Sequence, residues 1–336
     1  MSAMPGGPAP TARAHDARVV VTRALPFPAL DRLRAAVREV VVSPHDRALT
    51  ADELHALVPG ADALIATLSD RVDAALLDRA PRLRVVANYA VGLDNVDLDA
   101  TRARGVVVAN TPDVLTEATA DQALALLLAV ARRVVEADRF VRDGRWRGFA
   151  PDLLLGRGLQ GKALGVVGLG RIGQAVARRA RAFGMSIRYA GLRPRPEAAA
   201  LEAAHLPLDD LLAGSDAVVV TCPLLPATRG LLDARRLALL RPGALLVNVA
   251  RGPIVDEAAL AAALRAGRLG GAGLDVFEDE PRVHPDLLAL PPDRVVLAPH
   301  LGSATFEARA GMAALCVDAV LDVLAGRRPP NAVSGT

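Results

Sequence analysis

Cysteine is scarce. Cys222 and Cys316 are the only two in 336 residues, which excludes a disulfide-stapled scaffold and a cysteine-rich metal centre. Long apolar runs are missing as well: the longest, such as 123–131, stop at Arg132 and Arg133 and are too short to span a bilayer. No charged-then-apolar secretory signal opens the chain. Neither sign of charge dominates, with 40 Lys and Arg against 37 Asp and Glu, for a net charge of +3. No basic cluster tracks a row of phosphates, so nucleic acid is not expected as a partner. His15, His45, His55, His205 and His284 do not cluster and read as ordinary surface or helix residues, so no metal is expected. These absences point to a soluble, reduced, cytoplasmic protein with no membrane contact. At 52% hydrophobic and 23% charged, the chain can bury a sizeable core, and its length suggests two domains.

Residues 1–17, rich in Pro, Gly and Ala, read as a disordered leader. Beyond them, short apolar runs at 19–21, 40–42, 63–66 and 83–87 alternate with helical patterns at 29–37, 51–58 and 72–80. A second alternation has strands at 163–167, 186–190, 217–221, 244–249, 271–276 and 295–298. Continuous apolar strands separated by helices predict parallel sheets covered on both faces. The fold class expected is therefore α/β, with two doubly wound parallel-sheet domains. One long helical pattern from residue 116 to about 142 lies between the two runs, and another at 306–324 closes the chain. A closing helix of this kind packs back on the first domain, which is expected to be discontinuous.

The strongest local pattern is Gly168-Leu169-Gly170-Arg171-Ile172-Gly173 between an apolar strand and a helix. Gly168 permits a tight turn, Gly170 lets the backbone approach a pyrophosphate, and Gly173 lets the helix lie close on the strand. The helix N terminus then offers free N–H groups and its positive dipole end. At the end of the second strand, an NAD site ordinarily carries a carboxylate for the ribose 2′-hydroxyl. This chain has Gly191-Leu192-Arg193-Pro194-Arg195 there instead. Without a repelling carboxylate, Arg193 or Arg195 can pair with a 2′-phosphate, which favours NADP(H) over NAD(H).

Three later segments each follow a predicted strand: Asn248-Val-Ala-Arg251, Gly273-Leu-Asp275-Val-Phe-Glu-Asp-Glu280 and Ala298-Pro-His300-Leu-Gly302-Ser303. Loops beyond the carboxyl ends of such strands line the ligand crevice, so Arg251, Glu280 and His300 can converge there.

With these, Asn88-Tyr-Ala-Val-Gly-Leu-Asp-Asn-Val-Asp97 and Asn110-Thr-Pro-Asp-Val-Leu-Thr-Glu-Ala-Thr-Ala-Asp121, the chain resembles the D-isomer-specific 2-hydroxyacid dehydrogenases. The resemblance runs from about residue 18 to the end and is strongest to the glyoxylate/hydroxypyruvate reductase branch. It implies a flavodoxin-like substrate domain over 18–112 and 300–336, interrupted by a Rossmann NAD(P)-binding domain over 113–299. It also implies an interdomain active site and a homodimer. By resemblance, Arg251 binds substrate, His300 is the acid/base and Glu280 is its carboxylate partner. The N–H groups of Ala90, Val91 and Gly92 match the family's substrate loop. Asp275 matches its residue near the nicotinamide amide and Cys222-Pro223 its adenosine-side loop, and Thr228, Val249, Ala250, Gly302 and Ser303 are expected to bind the cofactor. The chemistry agrees: reduction of a keto acid requires a proton donor, and histidine titrates in the useful range. Arg251 can hold a carboxylate bidentately. Cys222 is expected to serve the cofactor loop and not as a nucleophile, and Trp146 to pack in a subunit interface.

The leading expectation is NAD(P)H-dependent reduction of glyoxylate and hydroxypyruvate to glycolate and D-glycerate. A second enzyme reading keeps the chemistry but takes a larger 2-keto acid such as 2-ketogluconate. A third, from another class, is an NAD(H)-sensing corepressor-like binding protein.

Overall fold

The structure, a computed structural model, describes residues 15–26 and 28–335. Contacts divide the chain into two units, one formed by residues up to Leu115 with those from Thr305 onward, the other by Thr116–Ala304. Most of the segment read as a leader lies outside the described residues, but the first strand begins inside it, at His15.

The first unit starts with β1 (His15–Val21), α1 (Ala29–Ala36), β2 (Val37–Val42), α2 (Ala51–Leu57) and β3 (Ala63–Thr67). It continues with α3 (Ala74–Arg79), β4 (Val85–Tyr89), α4 (Leu98–Ala103) and β5 (Val107–Ala109). All five strands run parallel in the order β2-β1-β3-β4-β5. Val19, Val20 and Val21 are each fully buried, because a strand in a parallel sheet meets helices on both faces and loses its polar alternation. Burying each such side chain contributes about 1.5–3 kcal/mol. The helices begin where short polar side chains replace missing backbone partners: Thr50 and Glu53 form a capping box on α2, and Asp73 and Asp97 cap α3 and α4.

The second unit opens with α5 (Thr116–Ala131) and α6 (Val134–Arg142), followed by β6 (Ala163–Val167), α7 (Arg171–Ala182) and β7 (Ser186–Ala190). Then come β8 (Ala204–His205), α8 (Leu208–Gly214), β9 (Ala217–Val220), α9 (Ala234–Leu239) and β10 (Leu245–Asn248). The unit ends with α10 (Glu257–Arg265), β11 (Gly271–Leu274), α11 (Pro285–Leu288) and β12 (Val295–Leu297). Its seven strands are all parallel, in the order β12-β11-β10-β9-β6-β7-β8. The order reverses between β6 and β9, the switch point at which doubly wound sheets hold ligands. The last helix, α12 (Phe306–Leu324), returns to the first unit. There Arg84 Nη2 donates to the Val323 carbonyl at 2.8 Å and Tyr89 Oη to the Arg309 carbonyl at 2.8 Å.

The long helical pattern at 116–142 is broken into α5 and α6. Arg133 takes a left-handed conformation (φ 56°), and the Ala131 carbonyl accepts the Arg157 N–H at 2.7 Å in place of a helical partner. The division at Ala304 places His300 in the second unit, beyond the boundary expected at 299. No helix among the described residues is long and apolar enough to cross a membrane.

Candidate active site

The turn from β6 to α7 is shaped by its glycines. Gly168 has φ +98°, and a Cβ there would lie 2.7 Å from Cys222 Cα, so both conformation and space demand glycine. A Cβ on Gly173 would lie 2.2 Å from the Gly168 carbonyl oxygen, so α7 presses directly on the turn. Gly170 faces open space, with nothing within 4 Å of an added Cβ. That space lies before the α7 N terminus, and the residues present fit a dinucleotide pyrophosphate. Leu169 is buried and Ile172 packs against the core, so these two offer the ligand backbone and not side chain, while Arg171 opens α7 and is exposed.

At the end of β7, Gly191, Leu192, Arg193 and Arg195 are all exposed, and no carboxylate stands among them. Arg195 N–H donates to Tyr189 Oη at 2.8 Å, folding the segment back over the strand. His205 is an edge-strand residue of β8: its ring lies 4.9 Å from that of Tyr189, and its Nε2 is 3.2 Å from the Gly191 carbonyl. Beyond β9, burial pushes the Cys222 thiol up to about 11, so it is protonated at neutral pH. Thr228 Oγ1 donates to the Pro223 carbonyl and accepts the Leu225 N–H, both at 2.7 Å, closing that loop.

Arg251 follows β10 through Val249 and Ala250. The buried Asn248 side chain closes this turn, donating from Nδ2 to the Arg251 carbonyl at 2.9 Å and accepting the Ala250 N–H at 3.0 Å. Arg251 Nη1 donates to the Ala250 carbonyl at 2.8 Å. A Cβ on Gly252 would stand 1.8 Å from the Phe277 carbonyl carbon, so the turn bearing Arg251 lies flat against the segment bearing Glu280. Beneath that segment, buried Glu257 accepts the Glu278 N–H at 2.7 Å, and burial raises its carboxyl above the ordinary range.

Glu280 Oε1 accepts the Phe277 N–H at 3.0 Å, and Oε2 lies 2.8 Å from His300 Nδ1. Burial pushes the Glu280 carboxyl up. The His300 hydrogen bond and charge, the Phe277 N–H and the Arg251 charge outweigh it, leaving the carboxyl below the usual range. Both side chains of the pair remain partly open, His300 at 23% and Glu280 at 29% exposure.

Asp275, at the end of β11, is 1% exposed and holds the His300 turn in place. Its carboxylate accepts the Leu301 N–H at 2.8 Å and the Gly302 N–H at 2.7 Å, and its carbonyl accepts the His300 N–H at 2.8 Å. Gln122 Nε2 adds a 3.3 Å bond to the same carboxylate, while burial raises the carboxyl above its ordinary value. His300 itself sits at φ 55°, and half-buried Ser303 follows the turn. In the first unit, Ala90, Val91 and Gly92 follow β4. The Ala90 N–H is already engaged with the Asn88 carbonyl at 2.7 Å, so Ala90 is not the free donor expected of it.

Arg251, Glu280 and His300 all lie in the second unit, just beyond the carboxyl ends of β10, β11 and β12. The supporting roles of Asn248, Gly252, Gln122 and Glu257 escaped the sequence reading, which covered three of the four only as parts of the segment from Asn248 to Glu257. An asparagine ending the otherwise apolar Leu245–Asn248 was a usable signal for one of them. Among the described residues, no group of three or more His, Cys, Asp or Glu could hold a metal ion.

Comparison with known proteins identifies the family. The family model for the D-isomer specific 2-hydroxyacid dehydrogenase NAD binding domain matches residues 124–302. Glyoxylate reductase of Thermococcus gammatolerans is 49% identical over 322 residues, covering 94% of this chain and 96% of the relative. The Pyrococcus furiosus glyoxylate reductase is 47% identical over 322 residues, covering 94% and 95%. Among solved structures, a Thermus thermophilus protein superposes with TM-score 0.87 at 51% identity, covering 94% of this chain and 99% of that one. An NADPH-dependent glyoxylate/hydroxypyruvate reductase of Sinorhizobium meliloti, in complex with NADP and malonate, gives TM-score 0.84 at 38% identity, covering 96% and 98%. Glycine turn, strand-end constellation and these likenesses coincide, and the chain belongs to the D-isomer specific 2-hydroxyacid dehydrogenase family.

Proposed function

We propose that the protein reduces small 2-keto acids, glyoxylate and hydroxypyruvate, to glycolate and D-glycerate, using NADPH in preference to NADH. The observation that carries this reading is the 2.8 Å pair between His300 Nδ1 and Glu280 Oε2 at the carboxyl edge of a dinucleotide-type sheet. Reduced nicotinamide, when bound, supplies a hydride for the carbonyl carbon. His300 delivers the proton that the carbonyl oxygen takes up. Glu280 accepts the hydrogen bond of the Nδ1–H group and orients the ring, leaving Nε2 as the nitrogen that transfers a proton. Arg251 pairs with the substrate and polarises its carbonyl, and the N–H groups of Val91 and Gly92 bind its carboxylate. The relatives above are reductases, which favours this reading over the corepressor-like one and over a larger keto acid.

The preference for NADPH is supported by the exposed Arg193 and Arg195, by the missing carboxylate after β7, and by the NADPH dependence of the Sinorhizobium neighbour. A homodimer is supported by Val134, Val141, Trp146, Phe149 and Leu155, large apolar side chains exposed by 52–91% within one stretch of the second unit. The deciding assay follows loss of reduced-nicotinamide absorbance with NADPH or NADH against glyoxylate, hydroxypyruvate, pyruvate and 2-ketogluconate. Rapid NADPH oxidation with the two small acids is the expected result. Turnover of 2-ketogluconate alone would reassign the substrate. Cofactor binding without any turnover would overturn the enzyme reading.

A further inference from the structure

The loop after β4 has a one-sided hydrogen-bond pattern. Every carbonyl from Ala90 to Gly92 is occupied: Ala90 O accepts the Thr111 N–H at 3.0 Å, Val91 O accepts Asn110 Nδ2 at 2.8 Å, and Gly92 O accepts Asn88 Nδ2 at 2.8 Å. Among the described residues, by contrast, the N–H groups of Val91 and Gly92 donate to no protein acceptor, though both residues are half-buried. Unpaired N–H groups in such a place ordinarily find a partner, so these two are set aside for an acceptor from outside the chain. In a planar trans peptide, a carbonyl and the following N–H point opposite ways. Pinning Val91 O therefore aims the Gly92 N–H, and pinning Ala90 O aims the Val91 N–H.

Two side-chain amides impose two of these three pins. Asn88 is fully buried, and its orientation is fixed from behind, because its Oδ1 accepts Asn95 Nδ2 at 3.0 Å. Asn95 is itself anchored to the carbonyls of Thr67 at 3.1 Å and Asp70 at 3.0 Å. Asn110 is anchored at its own carbonyl, which accepts Asn331 Nδ2 at 2.7 Å.

We propose that Asn110 is a positioning residue for substrate recognition: its amide on the Val91 carbonyl, beside the Thr111 N–H on the Ala90 carbonyl, turns these carbonyls away, so that the N–H groups of Val91 and Gly92 present a carboxylate-binding pair, while Asn88 holds the end of the loop at the Gly92 carbonyl. The inference rests on the proposed reduction of 2-keto acids and names the residues that build its carboxylate subsite. A carboxylate held equally in ground and transition states lowers KM without raising kcat. Loss of a pin should therefore appear in KM.

The test replaces the half-buried Asn110, as Asn110→Leu, which keeps the volume and removes the donor, with Asn110→Gln as the variant that retains an amide. At saturating NADPH, Asn110→Leu should raise the KM for glyoxylate about tenfold, the scale of one hydrogen bond to a charged group. The inhibition constant of oxamate, a carboxylate that is not reduced, should rise by the same factor. kcat and the KM for NADPH should stay within about twofold, since no transition-state contact is removed. Asn110→Gln should recover part of the loss. Unchanged KM and oxamate inhibition in Asn110→Leu would overturn the positioning role while leaving the reductase reading intact. So would parallel losses in kcat, NADPH affinity and melting temperature, which mark general damage. If the unaltered protein reduces no 2-keto acid, the reading beneath fails and the inference falls with it.

Discussion

His300 Nδ1 meets Glu280 Oε2 at 2.8 Å across twenty residues of sequence, and both backbones are held from one side by β11 and its continuation. Asp275 binds the His300 turn through three backbone N–H groups, while the Phe277 N–H holds the other oxygen of Glu280. The ring is thus oriented before any ligand arrives, which is the arrangement an acid/base histidine requires.

With His300 as the proton donor, His300→Gln should lower kcat by about 10²- to 10⁴-fold, the usual share of general acid–base catalysis. NADPH binding, read by isothermal titration calorimetry, should be nearly unchanged. Equal losses in turnover and cofactor affinity would count against the assignment.

Glu280 carries a prediction with a definite sign in pH. Its native carboxyl lies below the ordinary value of 4.5, although burial alone would raise it. A depressed native pKa contributes stability above the unfolded value, and that contribution disappears as pH falls through the native one. The melting-temperature gap between the unaltered protein and Glu280→Gln should therefore be steady above pH 4.5 and close below it. The same substitution should cut kcat by about 10- to 100-fold through the misoriented ring. A gap that widens in acid would contradict the sign.

Arg193 and Arg195 stand exposed just after β7, and the proposed preference for NADPH assigns them its 2′-phosphate. Arg193→Ser with Arg195→Ser should raise the KM for NADPH by about 10- to 100-fold, as expected for lost charge-assisted bonds, and spare NADH. An unchanged NADPH/NADH ratio of kcat/KM would reject these side chains as phosphate ligands.

The Cys222 thiol, pushed by burial up to about 11, is protonated near neutrality. Iodoacetamide at pH 7 should label it at least about tenfold more slowly than a free cysteine, because only the thiolate reacts. Mass spectrometry of the labelled peptide measures this directly, and fast labelling at pH 7 would refute the burial argument.

Gly252→Ala should be severe, since the new Cβ would fall 1.8 Å from the Phe277 carbonyl carbon. Overpacking against backbone costs about 1–3 kcal/mol or more, and the displaced turn carries Arg251. Reduced melting temperature together with loss of keto-acid turnover is expected. A fully stable and active variant would show that the two segments separate freely.

Much of this molecule was legible without coordinates. The closing helix was read to the residue at Phe306–Leu324, as were β6 and β7, because long apolar patterns and a glycine turn act within one element. The short strands β5 and β8 were not, since three and two residues carry no periodicity, and the break at Arg133 depends on a carbonyl capped from Arg157. Sequence alone determined which chemistry the chain carries: the strand-by-strand order of glycine turn, arginine, carboxylates and histidine, each placed after an apolar run. Only the tertiary structure decided how those groups are held. Gly252 against Phe277, Asp275 beneath His300 and Asn110 on the Val91 carbonyl are contacts between neighbouring strand ends. Periodicity reports which face of an element is buried, whereas such contacts follow from the order in which strands are laid into the sheet.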